Sequence, residues 1–211
     1  MQREEWLTLL SKHRLLAVIR APSLELGLSM AQAIEQGGIR LIEITWDSAQ
    51  PAELVGRLRQ ELPHCLIGAG TLLTLAEAET AIAAGAQFGF SPFTDSQLLK
   101  LGLQQGVPMV AGALTPTEIV TAWRAGAAGV KVFPISAVGG AAYLRSLRGP
   151  LGDIPLVPTG GVTLSSVPEL LAAGAIAVGL SGSLFPPKWV QTHNWAAITE
   201  TAQQLVQVLN V

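Results

Sequence analysis

One lysine stands apart from the others. The chain has 211 residues and four lysines, at positions 12, 100, 131 and 188. Lys12, Lys100 and Lys188 lie in helical or loop contexts, where a hydrated ammonium is ordinary. Lys131 lies inside Gly-Val-Lys-Val-Phe-Pro (129–134), which reads as a strand buried on both faces. Burial favours the neutral form of an amine. A neutral amine attacks a carbonyl to form a Schiff base. The plain alternative is a structural lysine that pairs with a carboxylate or reaches solvent at a strand edge. Desolvated ionisable groups cluster at functional sites, which favours the chemical reading.

Glu43 is its counterpart. It sits in Leu-Ile-Glu-Ile-Thr (41–45), flanked by β-branched residues. Strand alternation puts Leu41, Glu43 and Thr45 on one face and Ile42 and Ile44 on the other. Lys131 and Phe133 share a face in the same way. If the aliphatic faces meet helices, Glu43 and Lys131 point to a common interior. A carboxyl group beside an amine can shuttle protons through imine chemistry. A purely structural buried ion pair is the other possibility, and its desolvation cost makes it the weaker one.

Two glycine-rich turns come next, Thr159-Gly160-Gly161 and Ser181-Gly182-Ser183. Turns of this kind either bring backbone N–H groups up to a phosphate or simply end a strand. Arg20 closes the first apolar run and is either a bidentate carboxylate grip or a surface arginine. Thr71 is either a hydroxyl in the site or a helix N-cap. Trp46, Trp123, Trp189 and Trp195 read as packing residues.

These residues need a scaffold, and the sequence carries a rhythm that supplies one. Short β-branched runs fall at 15–20, 41–45, 66–70, 87–91, 108–113, 129–134, 155–161 and 175–182, with Ala/Leu/Glu/Gln-rich stretches between them. Gly37, Gly85, Gly106, Gly126 and Gly174 each stand between a helical stretch and the next strand, where a helix ends on a left-handed residue. Ser23, Thr74, Thr115 and Thr163 read as N-caps, and Pro116 follows Thr115 as a first helical residue. Eight alternating units predict an α/β fold, a single (β/α)8 TIM barrel spanning 1–211, with an extra N-terminal helix over about 2–12 capping its bottom. An open doubly wound sheet is the alternative, but no G-x-G-x-x-G follows the first strand. In such barrels the site lies at the C-terminal ends of the strands, where Arg20, Thr45, Thr71 and both glycine turns fall.

Composition removes other classes. Half the chain is hydrophobic (49%), enough for a core without disulfides, and only 13% is charged, unlike a disordered chain. The formal charge is −2 and no basic run occurs, so nucleic acid is not an expected partner. Cys65 is the single cysteine, and His13, His64 and His193 are scattered, so no metal and no cofactor are expected. The first 14 residues are charged and amphipathic and do not read as a signal peptide. The uncharged stretch 170–187 is broken by glycines and prolines and does not read as a membrane span. The expected location is the cytoplasm.

Several motifs now stand in order: Ile-Glu-Ile-Thr (42–45), Gly-Ala-Gly-Thr (68–71), Phe-Ser-Pro (90–92), Val-Lys-Val-Phe-Pro (130–134), Pro-Thr-Gly-Gly (158–161) and Gly-Ser (182–183). In these the chain resembles the 2-keto-3-deoxy-6-phosphogluconate (KDPG) aldolase family, which includes 4-hydroxy-2-oxoglutarate (KHG) aldolases. The resemblance runs from about residue 5 to 209. It implies a metal-independent class I aldolase, a homotrimer, acting on a small phosphorylated 2-keto acid. By motif match, Lys131 would be the Schiff-base lysine and Glu43 the general acid/base. Thr71, Pro92 and Phe133 would line the pyruvate end, and Thr45 would also bind substrate. Gly160, Gly161, Gly182 and Ser183 would hold phosphate, and Thr159 would lie near the C4 hydroxyl. Pyruvate and an aldehyde, glyceraldehyde 3-phosphate or glyoxylate, would be the products, with oxaloacetate decarboxylation as a side reaction.

One position departs from that pattern. Asp47 stands where gluconate-type members carry an arginine, four residues after the glutamate. The run 46–51 looks more like the galactonate-type branch, which has an arginine at the end of strand 1. The resemblance then implies that Arg20 takes over the carboxylate grip, and the galactonate epimer stays open as substrate. Two further readings stay open: a phosphate-binding barrel epimerase or isomerase without a covalent step, and a non-catalytic barrel that binds a metabolite.

Overall fold

Each β-branched run forms a strand and each Ala/Leu-rich gap a helix, in a computed structural model that describes residues 1–210. The strands are β1 (Leu15–Ile19), β2 (Leu41–Thr45), β3 (Leu66–Gly70), β4 (Gly89–Phe90), β5 (Met109–Ala113), β6 (Val130–Val132), β7 (Leu156–Pro158) and β8 (Val178–Leu180). Helix α1 (Arg3–His13) precedes β1. The helices α2 (Leu24–Gln36), α3 (Pro51–Glu61), α4 (Leu75–Ala83), α5 (Ser96–Gln105), α6 (Pro116–Arg124), α7 (Ala141–Leu151) and α8 (Val167–Ala172) follow successive strands. Two more, α9 (Pro187–Gln191) and α10 (Trp195–Leu209), come after β8.

All neighbouring strands are parallel, in the order β7-β6-β5-β4-β3-β2-β1-β8. A parallel bridge from Thr159 to Gly179 joins the two outermost strands and closes the barrel. The (β/α)8 architecture is therefore formed and the open sheet is not. Among the described residues, no helix is long and apolar enough to cross a membrane.

Alternation divides the apolar residues into two buried sets. Ala17, Ile19, Ile42, Ile44, Val130 and Val132 face outward and pack with the helices. Leu16, Val18, Leu41, Phe88, Phe90, Val110 and Val157 fill the interior. Trp6 and Leu10 of α1 join that interior set and are fully buried. Trp6 stacks on Phe88 at 4.7 Å and meets Phe90 edge-on at 6.4 Å. The bottom of the barrel is thus sealed by aromatics, and the polar groups are left for the other end.

Local signals act where the sequence places them. Thr74 and Thr115 each close a capping box, with Glu77 and Glu118, and Ser23 accepts from the Leu26 N–H. Gly85, Gly106, Gly126 and Gly174 are left-handed as expected. Gly37 is a correction. Its φ is −75° and the left-handed residue is Gly38, at φ +91°. Gly37 is needed for space instead: a Cβ there would lie 2.3 Å from the Ala202 Cβ, where α10 crosses the end of α2.

Candidate active site

The inward rows of five strands continue past the strand ends, and these continuations build the site. From β1 the row is Val18 and Arg20, from β2 Glu43 and Thr45, and from β6 Lys131 and Phe133. From β7 it is Thr159 and Gly161, and from β8 Gly179, Ser181 and Ser183. All of them line one cavity of about 470 Å³ at the C-terminal mouth, together with Thr71, Pro92, Gly160, Val162 and Gly182. Every site residue expected from the sequence lies in this wall. Sequence reasoning gave no role to Val18, Gly179 or Val162, and named Ser181 only as part of its glycine turn. The same two-residue period would have found Val18 and Gly179.

Glu43 is fully buried, and neither carboxylate oxygen has a hydrogen-bond partner. Space for it comes from the neighbouring strand, where Glu43 is in register with Gly68. A Cβ at Gly70 would lie 1.7 Å from Glu43 Oε1. Burial pushes the Glu43 carboxyl above the usual carboxylate range, and the charges of Lys131 and Arg20 act in the opposite direction without cancelling it.

Lys131 is also buried, at 5% exposure, and is in register with Gly112 and Val157. Its Nζ lies 4.9 Å from the centre of the Phe133 ring. No ion pair joins it to Glu43 among the described residues. The two groups share a cavity wall and leave each other free, so the structural ion pair weighed from sequence does not form.

Thr71 adopts a left-handed conformation at φ +57° and belongs to the cavity. The cap of α4 is Thr74, so the N-cap reading of Thr71 does not apply. Thr159 is buried beside Gly179, where a Cβ would lie 2.6 Å from the Thr159 hydroxyl oxygen.

The turn after β7 requires glycine twice over. Gly160 and Gly161 have φ of +86° and +73°, and a Cβ would lie 2.8 Å from Phe133 Cδ2 at the first and 2.3 Å from Ser136 Oγ at the second. Ser136 N–H donates to the Gly160 carbonyl at 3.2 Å and Ile135 N–H to that of Thr159 at 2.9 Å. Ser183 Oγ donates to the Val162 carbonyl at 2.9 Å, which ties the two glycine turns together. Arg20, past the end of β1 next to the β8 turn, donates from Nε to Asp47 Oδ2 at 2.8 Å.

The fold and the site define a barrel with a buried amine and a protonatable carboxyl at its floor and two glycine turns at its rim. Known proteins share this fold. The KDPG and KHG aldolase family matches residues 7–201. The 2-dehydro-3-deoxy-phosphogluconate aldolase of Treponema pallidum is 33% identical over 202 residues, 96% of each chain. The KDPG aldolase of Legionella pneumophila, solved with pyruvate captured as a covalent carbinolamine, superposes with a TM-score of 0.88 at 29% identity, over 97% of this chain and 98% of that one. A structure described as native KDPGal superposes with a TM-score of 0.80 at 28% identity, over 92% and 96%. The chain belongs to the KDPG and KHG aldolase family and is a lyase.

Proposed function

We propose that the chain works as a single-domain class I aldolase. It cleaves a 2-keto-4-hydroxy acid, KDPG or KHG, to pyruvate and an aldehyde, with Lys131 as the imine-forming residue. The observation that carries the reading is one cavity holding a buried amine, an unpartnered buried carboxyl and two glycine turns. The carbinolamine captured in the Legionella relative is the intermediate this chemistry requires.

In this reading the Lys131 amine adds to the C2 ketone. Glu43, whose carboxyl burial shifts toward the protonated form, gives its proton to the carbinolamine oxygen and water leaves. The iminium then draws electrons as the C4 hydroxyl loses its proton to Glu43, directly or through water, and the C3–C4 bond breaks. The aldehyde departs, the resulting enamine takes a proton at C3, and water releases pyruvate and Lys131. The same iminium supports loss of CO2 from oxaloacetate.

Thr45, Thr71, Pro92 and Phe133 surround the pyruvate carbons, and Thr159 meets the C4 hydroxyl. Gly160, Gly161, Gly182 and Ser183 receive the phosphate through backbone N–H groups. Arg20 holds the keto-acid carboxylate with the end of its guanidinium. Its position at the end of β1 favours a second reading, in which the 6-phosphogalactonate epimer is the better substrate. A cytoplasmic location and a homotrimer complete the proposal, the homotrimer supported by the exposed apolar side chains Leu73 and Phe93.

Borohydride reduction in the presence of pyruvate, followed by peptide mass analysis, tests the central claim. A reduced three-carbon adduct on Lys131 is expected. Folded protein with no adduct would remove the imine mechanism in favour of the epimerase or binding readings.

A further inference from the structure

Beyond the strands, the segment after β1 and the turn after β2 are joined at consecutive positions. Arg20 Nε donates to Asp47 Oδ2 at 2.8 Å. One residue on, Ala21 N–H donates to Ser48 Oγ at 3.0 Å. Ala49 N–H then donates to the Ala21 carbonyl at 2.9 Å, and Ser48 N–H closes the turn onto the Thr45 carbonyl at 2.9 Å. Ser48 is 7% exposed, and its hydroxyl lies 3.2 Å from that of Thr45 and 3.5 Å from the Ile19 carbonyl. Asp47 is therefore presented from a turn anchored by a buried hydroxyl.

Asp47 engages only Nε of Arg20. Both Nη groups stay unpaired among the described residues, and their N–H donors suffice for a bidentate grip on a carboxylate. The Arg20 side chain is 56% exposed. A long side chain with that freedom samples many rotamers and loses entropy when a ligand fixes it. A partner that fixes it beforehand removes part of that cost from binding. The pair itself is exposed and adds little to fold stability, so its consequence lies in recognition.

We propose that Asp47 is a positioning residue. It sets Arg20 in the arrangement that grips the keto-acid carboxylate, and Ser48 anchors the turn that presents it. This rests on the role given to Arg20 above. Asp47 is not among the residues lining the cavity, so its effect falls on affinity and spares the bond-making steps.

Borohydride trapping over a pyruvate titration, on the full chain, provides the test. The variants are Asp47→Ala, Asp47→Asn, Arg20→Ala and the Arg20→Ala/Asp47→Ala double. Asp47→Ala is expected to raise the half-saturating pyruvate concentration roughly three- to tenfold, the effect of loosening one charge-assisted contact, while the trapped fraction at saturation stays as in wild type. Asp47→Asn keeps an acceptor oxygen and recovers part of the shift. In the Arg20→Ala background, removing Asp47 adds nothing. Pyruvamide, which lacks the carboxylate, titrates alike on wild type and Asp47→Ala. Coincident pyruvate curves for those two proteins, or a shift that persists without Arg20, would overturn the inference. No adduct on wild type would remove the imine reading and this inference with it, so the wild-type sample distinguishes the two failures.

Discussion

Glu43 occupies the space that a side chain at Gly70 would need: a Cβ there would lie 1.7 Å from Glu43 Oε1. The glycine of one strand thus sets the position of the carboxyl on the next. Gly70→Ala is expected to displace the carboxyl while leaving the barrel intact. A misplacement of this size at a reacting group costs about a hundredfold in turnover. Steady-state kcat with an unchanged far-ultraviolet spectrum checks it. Normal kcat would show that the carboxyl position is not critical.

The Glu43 carboxyl has a second, thermodynamic signature. Its pKa is raised in the fold by burial, with Lys131 and Arg20 opposing. The folded protein then holds a proton that the unfolded chain releases. The stabilising contribution is complete below the ordinary glutamate pKa and is lost as pH rises through the raised value. Glu43→Gln lacks this proton and this dependence. The gap in melting temperature between the two proteins is expected to grow, in favour of the glutamine, as pH rises through that window. A constant gap would contradict the raised pKa. Turnover of the glutamine variant is expected to fall by about 10²–10⁴.

Lys131→Arg keeps a long basic side chain at the cavity floor but cannot form an imine. Turnover and the borohydride adduct are both expected to vanish while the melting transition stays cooperative. More than trace cleavage by this variant would refute the assignment.

Gly161→Ala places a Cβ 2.3 Å from Ser136 Oγ at a residue with φ +73°. The left-handed conformation alone costs about 1–2 kcal/mol for a residue other than glycine. The turn is expected to shift, raising KM for a phosphorylated substrate and leaving pyruvate trapping at wild-type concentration. An equal effect on both ligands would place the turn in the pyruvate end.

Trp6→Ala separates stability from chemistry. Trp6 is fully buried against Phe88 and Phe90 at the closed end of the barrel. Truncation of a buried aromatic costs about 3–5 kcal/mol. The unfolding free energy from a denaturant titration is expected to drop by that amount, with KM unchanged at temperatures where the variant is folded. A changed KM would connect the plug to the mouth.

Much of this molecule is legible in its sequence because the governing forces are local or periodic. The eight β-branched runs became the eight strands, since alternation and turn residues act within a few positions. The Thr74–Glu77 and Thr115–Glu118 capping boxes begin helices by bonds spanning three residues. The same alternation turned Glu43 and Lys131 inward before any contact was known.

Tertiary structure decided the relationships between distant segments. Gly37 looks like a helix-ending glycine, but the approach of Ala202 on α10 gives it a packing role and moves the left-handed residue to Gly38. Whether Glu43 pairs with Lys131, and whether Arg20 meets Asp47, depends on strand register and on side-chain direction past the strand ends. Alternation puts Val18, Gly179 and Ser181 on inward rows, and the Thr159–Gly179 bridge that closes the barrel brings those rows into one cavity wall. Hydropathy and capping are properties of neighbours along the chain, whereas charge pairing and cavity shape arise only where residues far apart in sequence are brought within a few ångströms.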